Sequence, residues 1–147
     1  MYSPARQCNT FWFGINDLGR IFDKGDGWDD ASEAAADQAY KRIFERYRAL
    51  LQTLRARNGA ANFLLFDVAP LQRTMRVLKL GKGKYAKCTT ALVEDFSGRI
   101  AKFAKTVEGQ SSGLRVWQLD ANSGFDRALN EPRKFPELAA VGGHQEL

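Results

Sequence analysis

The order of apolar segments along the chain constrains its fold more than any other feature of the sequence. Three short β-prone segments cover residues 9–15, 62–68 and 114–119, and turn residues or proline follow each of them. The longer segments between them, 31–57 and about 88–107, repeat apolar residues at three- and four-residue spacing, which is typical of amphipathic helices. Helical crossovers of this length allow parallel pairing. The sequence therefore predicts a β-α-β-α-β chain of the α/β class with right-handed crossovers.

Turn and cap residues predict where several elements end. Asn58-Gly59 suits a left-handed cap at the end of the first long helix. A loop rich in glycine and aspartate is predicted for residues 19–27, and a basic loop for residues 71–84. A short helix around residues 123–129 follows the third strand and stops before Pro132.

The strand sequences also indicate what lies beside each strand. The near-continuous apolar run 62–68 is typical of a strand that is buried on both faces of a parallel sheet. Trp12 and Trp117 fall within predicted strands and are expected in the core. The segment 9–15 would lie at an edge of a thin sheet, where an apolar strand promotes aggregation. The sequence thus indicates that a further element belongs beside this first strand.

Composition excludes several classes of protein. The chain has 147 residues, of which 44% are hydrophobic and 27% charged, and this composition excludes a disordered tail, a fibre or a disulfide-dense mini-protein. No apolar run reaches the length of about 18 residues that predicts a transmembrane helix, and no secretory signal is visible. Cys8 and Cys88 are expected to be small buried residues or free thiols. With a single histidine, His144, they cannot form a zinc site.

The net charge of +5 permits binding to nucleic acid or to an acidic partner, without requiring it. A solvated basic face is the more ordinary interpretation, and no aromatic-basic motif for nucleic acid accompanies it. A non-catalytic basic α/β module that binds an acidic partner or nucleic acid stays open as the alternative function. The basic residues concerned are Arg42, Arg46, Arg48, Arg55, Arg57, Arg73, Arg76 and the 79–87 cluster.

The tetrapeptide Gly14-Ile15-Asn16-Asp17 lies at the carboxyl end of the first predicted strand. Ligands of open α/β sheets bind at this edge. A side-chain amide placed there can donate to the oxyanion that forms in acyl transfer, and such a donor contributes roughly 3–4 kcal/mol. A plain strand-terminating turn explains the same residues, because asparagine, aspartate and glycine all favour turns. Both interpretations stay open on the tetrapeptide alone.

The sequence around this tetrapeptide resembles the SGNH or GDSL ester hydrolases. Residues 11–19 resemble the third conserved block of that family, Gly-x-Asn-Asp. Residues 62–74 look like the next strand and its Pro-Pro-x-x-Arg turn, with Ala69 and Met75 in place of prolines, and 116–129 resemble the following strand and helix. The order and spacing of the three blocks agree over residues 9–135. The chain is most similar to the fungal and plant lipase/acylhydrolase branch, which includes carbohydrate acetylesterases.

This resemblance implies a flavodoxin-like α/β/α sandwich with a parallel sheet and a serine esterase that uses no cofactor. In the family, a serine attacks the ester carbonyl, a histidine held by an aspartate removes its proton, and backbone amides with the third-block asparagine hold the oxyanion. Asn16 corresponds to that asparagine, and Gly14 to the glycine that keeps the turn open. Asp17 is expected to shape the turn. The implied substrate is a small ester or an acetylated carbohydrate.

The sequence departs from the family pattern where the nucleophile and base belong. The nucleophile stands in a Gly-Asp-Ser motif, but Ser3 stands in Tyr-Ser-Pro. The base belongs to an Asp-x-x-His motif, but Val141 precedes His144 by three residues. The second-block glycine has no counterpart either. Residues 1–147 are therefore predicted to form one partial SGNH domain without its first strands, with little or no ester turnover alone. Related members are often secreted, and the sequence predicts no compartment for this chain.

Overall fold

A computed structural model describes residues 7–24, 30–79 and 84–136. Strands and long helices alternate through these residues, as the sequence predicts. The elements in chain order are β1 (Cys8–Phe11), α1 (Ile15–Lys24), α2 (Asp30–Asn58), β2 (Asn62–Phe66), α3 (Met75–Lys79), α4 (Lys84–Gly109), β3 (Arg115–Leu119) and α5 (Ala121–Asn130), with 3-10 turns at Leu71–Arg73 and Pro132–Lys134.

The three strands form one parallel sheet in the order β1-β2-β3. In the register, Phe11 lies beside Leu65, and Phe63 beside Val116. The predicted parallel α/β class is confirmed, and the first strand lies at an edge of the sheet as expected. Gly59 has a φ of 64°, which confirms the left-handed cap predicted after α2. None of the helices in the described residues is both long enough and apolar enough to cross a membrane.

Helices α2 and α4 bury one face of the sheet. Phe63 and Leu65 of β2 are completely buried in a core that also holds Tyr47 of α2 and Phe96 of α4. The stripe at three- and four-residue spacing that predicted α2 is therefore the surface that meets the sheet and α4. A buried hydrogen bond also joins the two helices, because the Tyr40 hydroxyl donates to the Leu92 carbonyl at 3.1 Å.

The opposite face of the sheet is largely open among the described residues. Trp12 and Trp117 are 51% and 50% exposed, so the expectation that they belong to the core is wrong. The expectation that β2 is buried on both faces is wrong too, since Leu64 and Phe66 are only half-buried. Side chains alternate along a strand, and α2 and α4 cover only the Phe63 side. The other helical layer of the expected sandwich is not present on this face within those residues.

Two predicted loops contain helices. Residues 15–24 form α1 instead of the turn and loop predicted from Gly19 onward, and the first strand ends at Phe11 rather than at residue 15. The physical reason is Leu18, which is completely buried, with Ile21 packed beside it on the same helical face. Residues 25–29 of the predicted loop lie outside the described residues.

The basic loop predicted for residues 71–84 also has regular structure. It contains the 3-10 turn Leu71–Arg73 and helix α3, in which Val77 is buried and fixes the helix against the core. Residues 80–83 of that loop, and with them part of the basic 79–87 cluster, lie outside the described residues. The predicted second long helix is confirmed as α4, and the predicted short helix after the third strand is confirmed as α5.

Candidate functional site

The carboxyl ends of the three strands meet at one edge of the sheet, because the strands are parallel. Residues 12–17 follow β1, residues 67–70 follow β2, and residues 120–122 follow β3. This edge is where open α/β sheets bind ligands. It therefore contains the tetrapeptide that the sequence singled out, together with the segments that pack beside it.

Gly14 forms a turn that only glycine can make here. Its φ is +112°, a backbone conformation that side chains rarely allow. A Cβ at this position would lie 2.5 Å from Cζ of Phe96 in α4. The Gly14 carbonyl accepts a hydrogen bond from the Leu18 amide at 2.9 Å and so opens the hydrogen-bond ladder of α1. Both the conformation and the available space therefore require glycine between β1 and α1.

The hydroxyl of Tyr47 holds the peptide segment just before this turn. It accepts a hydrogen bond from the Phe13 amide at 3.2 Å and donates to the Phe13 carbonyl at 3.1 Å. Burial raises the pKa of Tyr47 to about 12, although the bond to Phe13 opposes the shift. The hydroxyl therefore stays protonated at neutral pH and keeps both bonds. The sequence shows Tyr47 only as part of the apolar stripe of α2, so nothing in the sequence predicts that its hydroxyl binds Phe13.

Asn16 and Asp17 lie in the first turn of α1, directly after Gly14. Asn16 is exposed, and its side-chain amide forms no hydrogen bond within the described part of the chain. The N-terminal end of a helix carries a partial positive charge, which attracts negatively charged groups that approach it. The tetrapeptide is thus a helix start rather than a strand-terminating turn, and its asparagine amide is accessible.

Asp67 joins the ends of β2 and β3, and no motif in the sequence marks it as a site residue. Its Oδ1 accepts hydrogen bonds from the amides of Ala121 and Asn122 at 2.7 and 3.0 Å, and its Oδ2 accepts one from Ser97 Oγ at 3.1 Å. Burial raises the pKa of the Asp67 carboxyl, and the bonds from Asn122, Ser97 and Ala121 oppose that shift. An aspartate directly after an apolar strand is the signal that could have identified it.

Trp12 connects the end of β1 to the same cluster. Its indole nitrogen donates to the Asp67 carbonyl at 3.0 Å, and its ring lies against Phe66 and is stacked on Phe125. Arg73, the arginine of the turn that resembles Pro-Pro-x-x-Arg, donates to Asp126 Oδ1 at 3.0 Å. These contacts fix α5 and the segments that follow β1 and β2 to one another. This part of the edge, beside the Gly14 turn, is therefore fixed by side-chain contacts.

Two of the candidate residues have no described position in the structure. Ser3 and His144 lie outside the described residues, and no histidine lies within them. The structure brings Gly14, Asn16 and Asp17 to the carboxyl edge, near the Asp67 cluster. No three His, Cys, Asp or Glu side chains in the described ranges are grouped as a metal site. The groups that the structure does place at this edge include the exposed Asn16 amide and the N-terminal end of α1.

Comparison with known proteins finds weak homology to an acetylesterase. No family model matches the chain. The chain is 28% identical over 137 residues to an acetylesterase from Thermothelomyces thermophilus. The similarity covers 91% of this chain and 42% of the acetylesterase, so the chain spans less than half the length of this relative. Weak homology along nearly the whole chain supports an ester hydrolase-like resemblance.

Proposed function

We propose that this chain carries the oxyanion-binding side of an SGNH/GDSL-type ester hydrolase. The substrate class is small esters, with acetylated carbohydrates among them. The observation that carries the proposal is the Gly14 turn, which ends β1 and presents the exposed Asn16 at the start of α1. The acetylesterase relative supports the same reaction class, because its similarity extends over 91% of the chain.

The arrangement suits the stabilisation of a developing negative charge. When a serine attacks an ester, the carbonyl oxygen gains charge and needs donors already in position. Asn16 supplies a side-chain amide, and the first turn of α1 supplies the positive end of a helix. Phe96 and Tyr47 prevent the Gly14 turn from moving, since one fills the space beside it and the other binds the preceding peptide.

The nucleophile and base of this reaction are not among the described residues. Ser97 donates its hydroxyl to the buried Asp67 carboxylate, whose other oxygen is occupied by two amides of α5, so this pair serves packing. A Gly-Asp-Ser serine and an Asp-x-x-His pair would have to come from other polypeptide. The chain alone is therefore expected to bind the oxyanion side of a substrate without turning it over.

A first experiment measures hydrolysis of p-nitrophenyl acetate by the 147-residue chain beside its Asn16→Ala variant. We expect both to remain at the rate of the buffer, because no activated nucleophile is provided. Hydrolysis by the unaltered chain well above that of Asn16→Ala would contradict the view that the chain lacks its own nucleophile.

A second experiment tests the role of Asn16 directly. The coding sequence on either side is read for in-frame Gly-Asp-Ser and Asp-x-x-His motifs, and the polypeptide containing them is assayed for acetylesterase activity. Asn16→Ala should lower kcat about 100- to 1000-fold with little change in KM, as loss of an oxyanion donor does. Asp17→Asn in the same helical turn is the control and should lose far less. Equal losses in the two variants would reject Asn16 as the oxyanion donor.

A further inference from the structure

Residues 12–14 form the linker between the end of β1 and the start of α1. The register of β1 with β2 ends at Phe11, so the linker lies beyond the strand ladder. A main-chain group that leaves a ladder needs another partner. The amide and the carbonyl of Phe13 both bind the hydroxyl of Tyr47, at 3.2 and 3.1 Å. One hydroxyl of α2 therefore serves both polar groups at the centre of the linker.

The side chain of Tyr47 is held firmly enough to impose its position on the linker. It is 1% exposed, and its ring lies within an aromatic cluster of β1, the linker, α2 and α4. Ring pairs at such centroid distances attract one another, and a closely packed ring has little freedom to move. The neighbouring rings, at 5.9–6.1 Å, are those of Phe11, Phe13, Phe44 and Phe103.

The position of the Phe13 peptide is transmitted to Asn16 along a short path. Only Gly14 separates Phe13 from α1, and the Gly14 carbonyl accepts a hydrogen bond from the Leu18 amide at 2.9 Å. Asn16 lies within the helical turn that this bond closes. A shift of the Phe13 peptide would therefore move the Gly14 carbonyl, and the first turn of α1 with it.

We propose that Tyr47 is a positioning residue for the oxyanion donor Asn16. The Tyr47 hydroxyl fixes the Phe13 peptide, and this peptide fixes where the Asn16 amide lies when the ester oxygen gains charge. Tyr47 touches neither the substrate nor the reacting atoms in this role. The inference rests on the proposed function, because it gives Tyr47 an effect on the reaction only through Asn16. Displacement of a catalytic group by about 1 Å can lower a rate about 100-fold.

The packing of Leu18 offers a different explanation for how α1 is held. Leu18 is completely buried two residues after Asn16. If this packing alone fixed the helix, loss of the Tyr47 hydroxyl would leave the Asn16 amide in place. The two explanations therefore differ in what Tyr47→Phe does to Asn16.

The kinetic test compares Tyr47→Phe with Tyr40→Phe in the polypeptide that contains the Gly-Asp-Ser and Asp-x-x-His motifs. Each variant removes one buried hydroxyl and keeps the ring, but the Tyr40 hydroxyl binds Leu92 in α4. Tyr47→Phe should lower kcat about 10- to 100-fold with little change in KM, and Tyr40→Phe should change kcat less than about threefold. Added to Asn16→Ala, Tyr47→Phe should cost nothing further, because no donor remains to be positioned.

The 147-residue chain provides a second measurement that needs no catalysis. Tyr47→Phe keeps the ring and its contacts, so we expect it to fold, and circular dichroism verifies this. In ¹H–¹⁵N NMR spectra, the backbone amides of Ile15 and Asn16 and the side-chain amide of Asn16 should shift in Tyr47→Phe. The same resonances should stay in place in Tyr40→Phe.

Two results would overturn the inference and leave the proposed function intact. Equal losses of kcat in Tyr47→Phe and Tyr40→Phe, or a further loss when Tyr47→Phe is added to Asn16→Ala, would limit Tyr47 to packing. Unmoved Asn16 resonances in Tyr47→Phe would show that Leu18 fixes α1 by itself. Failure of the proposed function gives a different result, since Asn16→Ala and Asp17→Asn then lose equally, and the inference fails with it.

Discussion

The two faces of the sheet differ in how their side chains are stabilised. Phe63 and Leu65 point into a core closed by α2 and α4 and lose all contact with solvent. Their neighbours Leu64 and Phe66, one residue away along the same strand, are only half-buried. Equal hydrophobicity in a strand therefore gives unequal stabilisation, because the layer packed on each face decides how much apolar surface leaves water.

The two faces of the sheet also show that a segment can be fixed in place without being buried. The Gly14 turn is held on the covered side by Phe96 and Tyr47, whereas Trp12, two residues earlier, extends over the open side. Both segments are fixed, one by close packing and the other by a hydrogen bond and a ring stack. The candidate site therefore takes its geometry from the covered side, whereas Trp12 joins the end of β1 to the segment after β2 on the open side.

The largest expected effect on stability comes from comparing a leucine on the covered face with one on the open face. Leu65→Ala should lower the free energy of unfolding by about 2–5 kcal/mol, because it opens a cavity in a closed core. Leu119→Ala removes the same atoms from the open face and should cost less than about 1 kcal/mol. Urea unfolding followed by circular dichroism measures both. Equal losses would mean that the two faces are equally covered.

A smaller effect tests whether the packing of the covered side reaches the candidate site. Gly14→Ala should destabilise the chain by about 1–3 kcal/mol, since a Cβ at φ +112° would meet the Phe96 ring. Gly19→Ala in α1 meets open space and should stabilise it by up to about 1 kcal/mol. Thermal unfolding distinguishes the two, and a neutral Gly14→Ala would show that the turn is loose.

The smallest effect concerns the polar link on the covered side. Tyr47→Phe removes both hydrogen bonds to Phe13 and should cost about 1–2 kcal/mol at neutral pH. The folded-state pKa of about 12 lies above the ordinary value of 10.0, so the hydroxyl stabilises fully below pH 10.0 and loses that contribution as pH approaches 12. The difference in stability between wild type and variant should therefore narrow over this interval.

The Tyr40→Phe variant is the control for the Tyr47→Phe prediction, and amide hydrogen exchange is the measurement. Tyr40→Phe also loses a buried hydroxyl, but its bond goes to Leu92 in α4 and not to the turn. Amide exchange at Phe13 and Gly14 should accelerate in Tyr47→Phe and stay unchanged in Tyr40→Phe. Acceleration of the same size in both variants would assign Tyr47 a general packing role only.

Periodicity made the long elements predictable, because α2, α4, β2 and β3 carry local patterns that their burial then satisfied. Helix α1 was missed, since its short apolar stripe is interrupted by Gly19 and acidic residues. The tryptophans were misassigned for a different reason. The strand pattern places Trp117 and Val116 on opposite faces of the sheet. Which of these faces is covered depends on how helices distant in sequence pack on it.

Only part of the candidate site could be predicted from the sequence. Gly14 and Asn16 stand in a short local motif and could be selected from it. Tyr47 and Asp67 act through contacts across 34 and 30 residues, with Phe13 and Ser97, and no local spacing encodes such pairs. Their roles arise only when α2 and α4 are placed on the sheet.

The contact between Gly14 and Phe96 has a consequence for how the sequence can change. The two positions share one volume, because the ring in α4 occupies the space of a missing side chain in the turn. A smaller residue at position 96 would free that volume, yet the φ of +112° would still exclude a side chain at position 14. An evolving or redesigned chain therefore has freedom at position 96 before it has any at position 14.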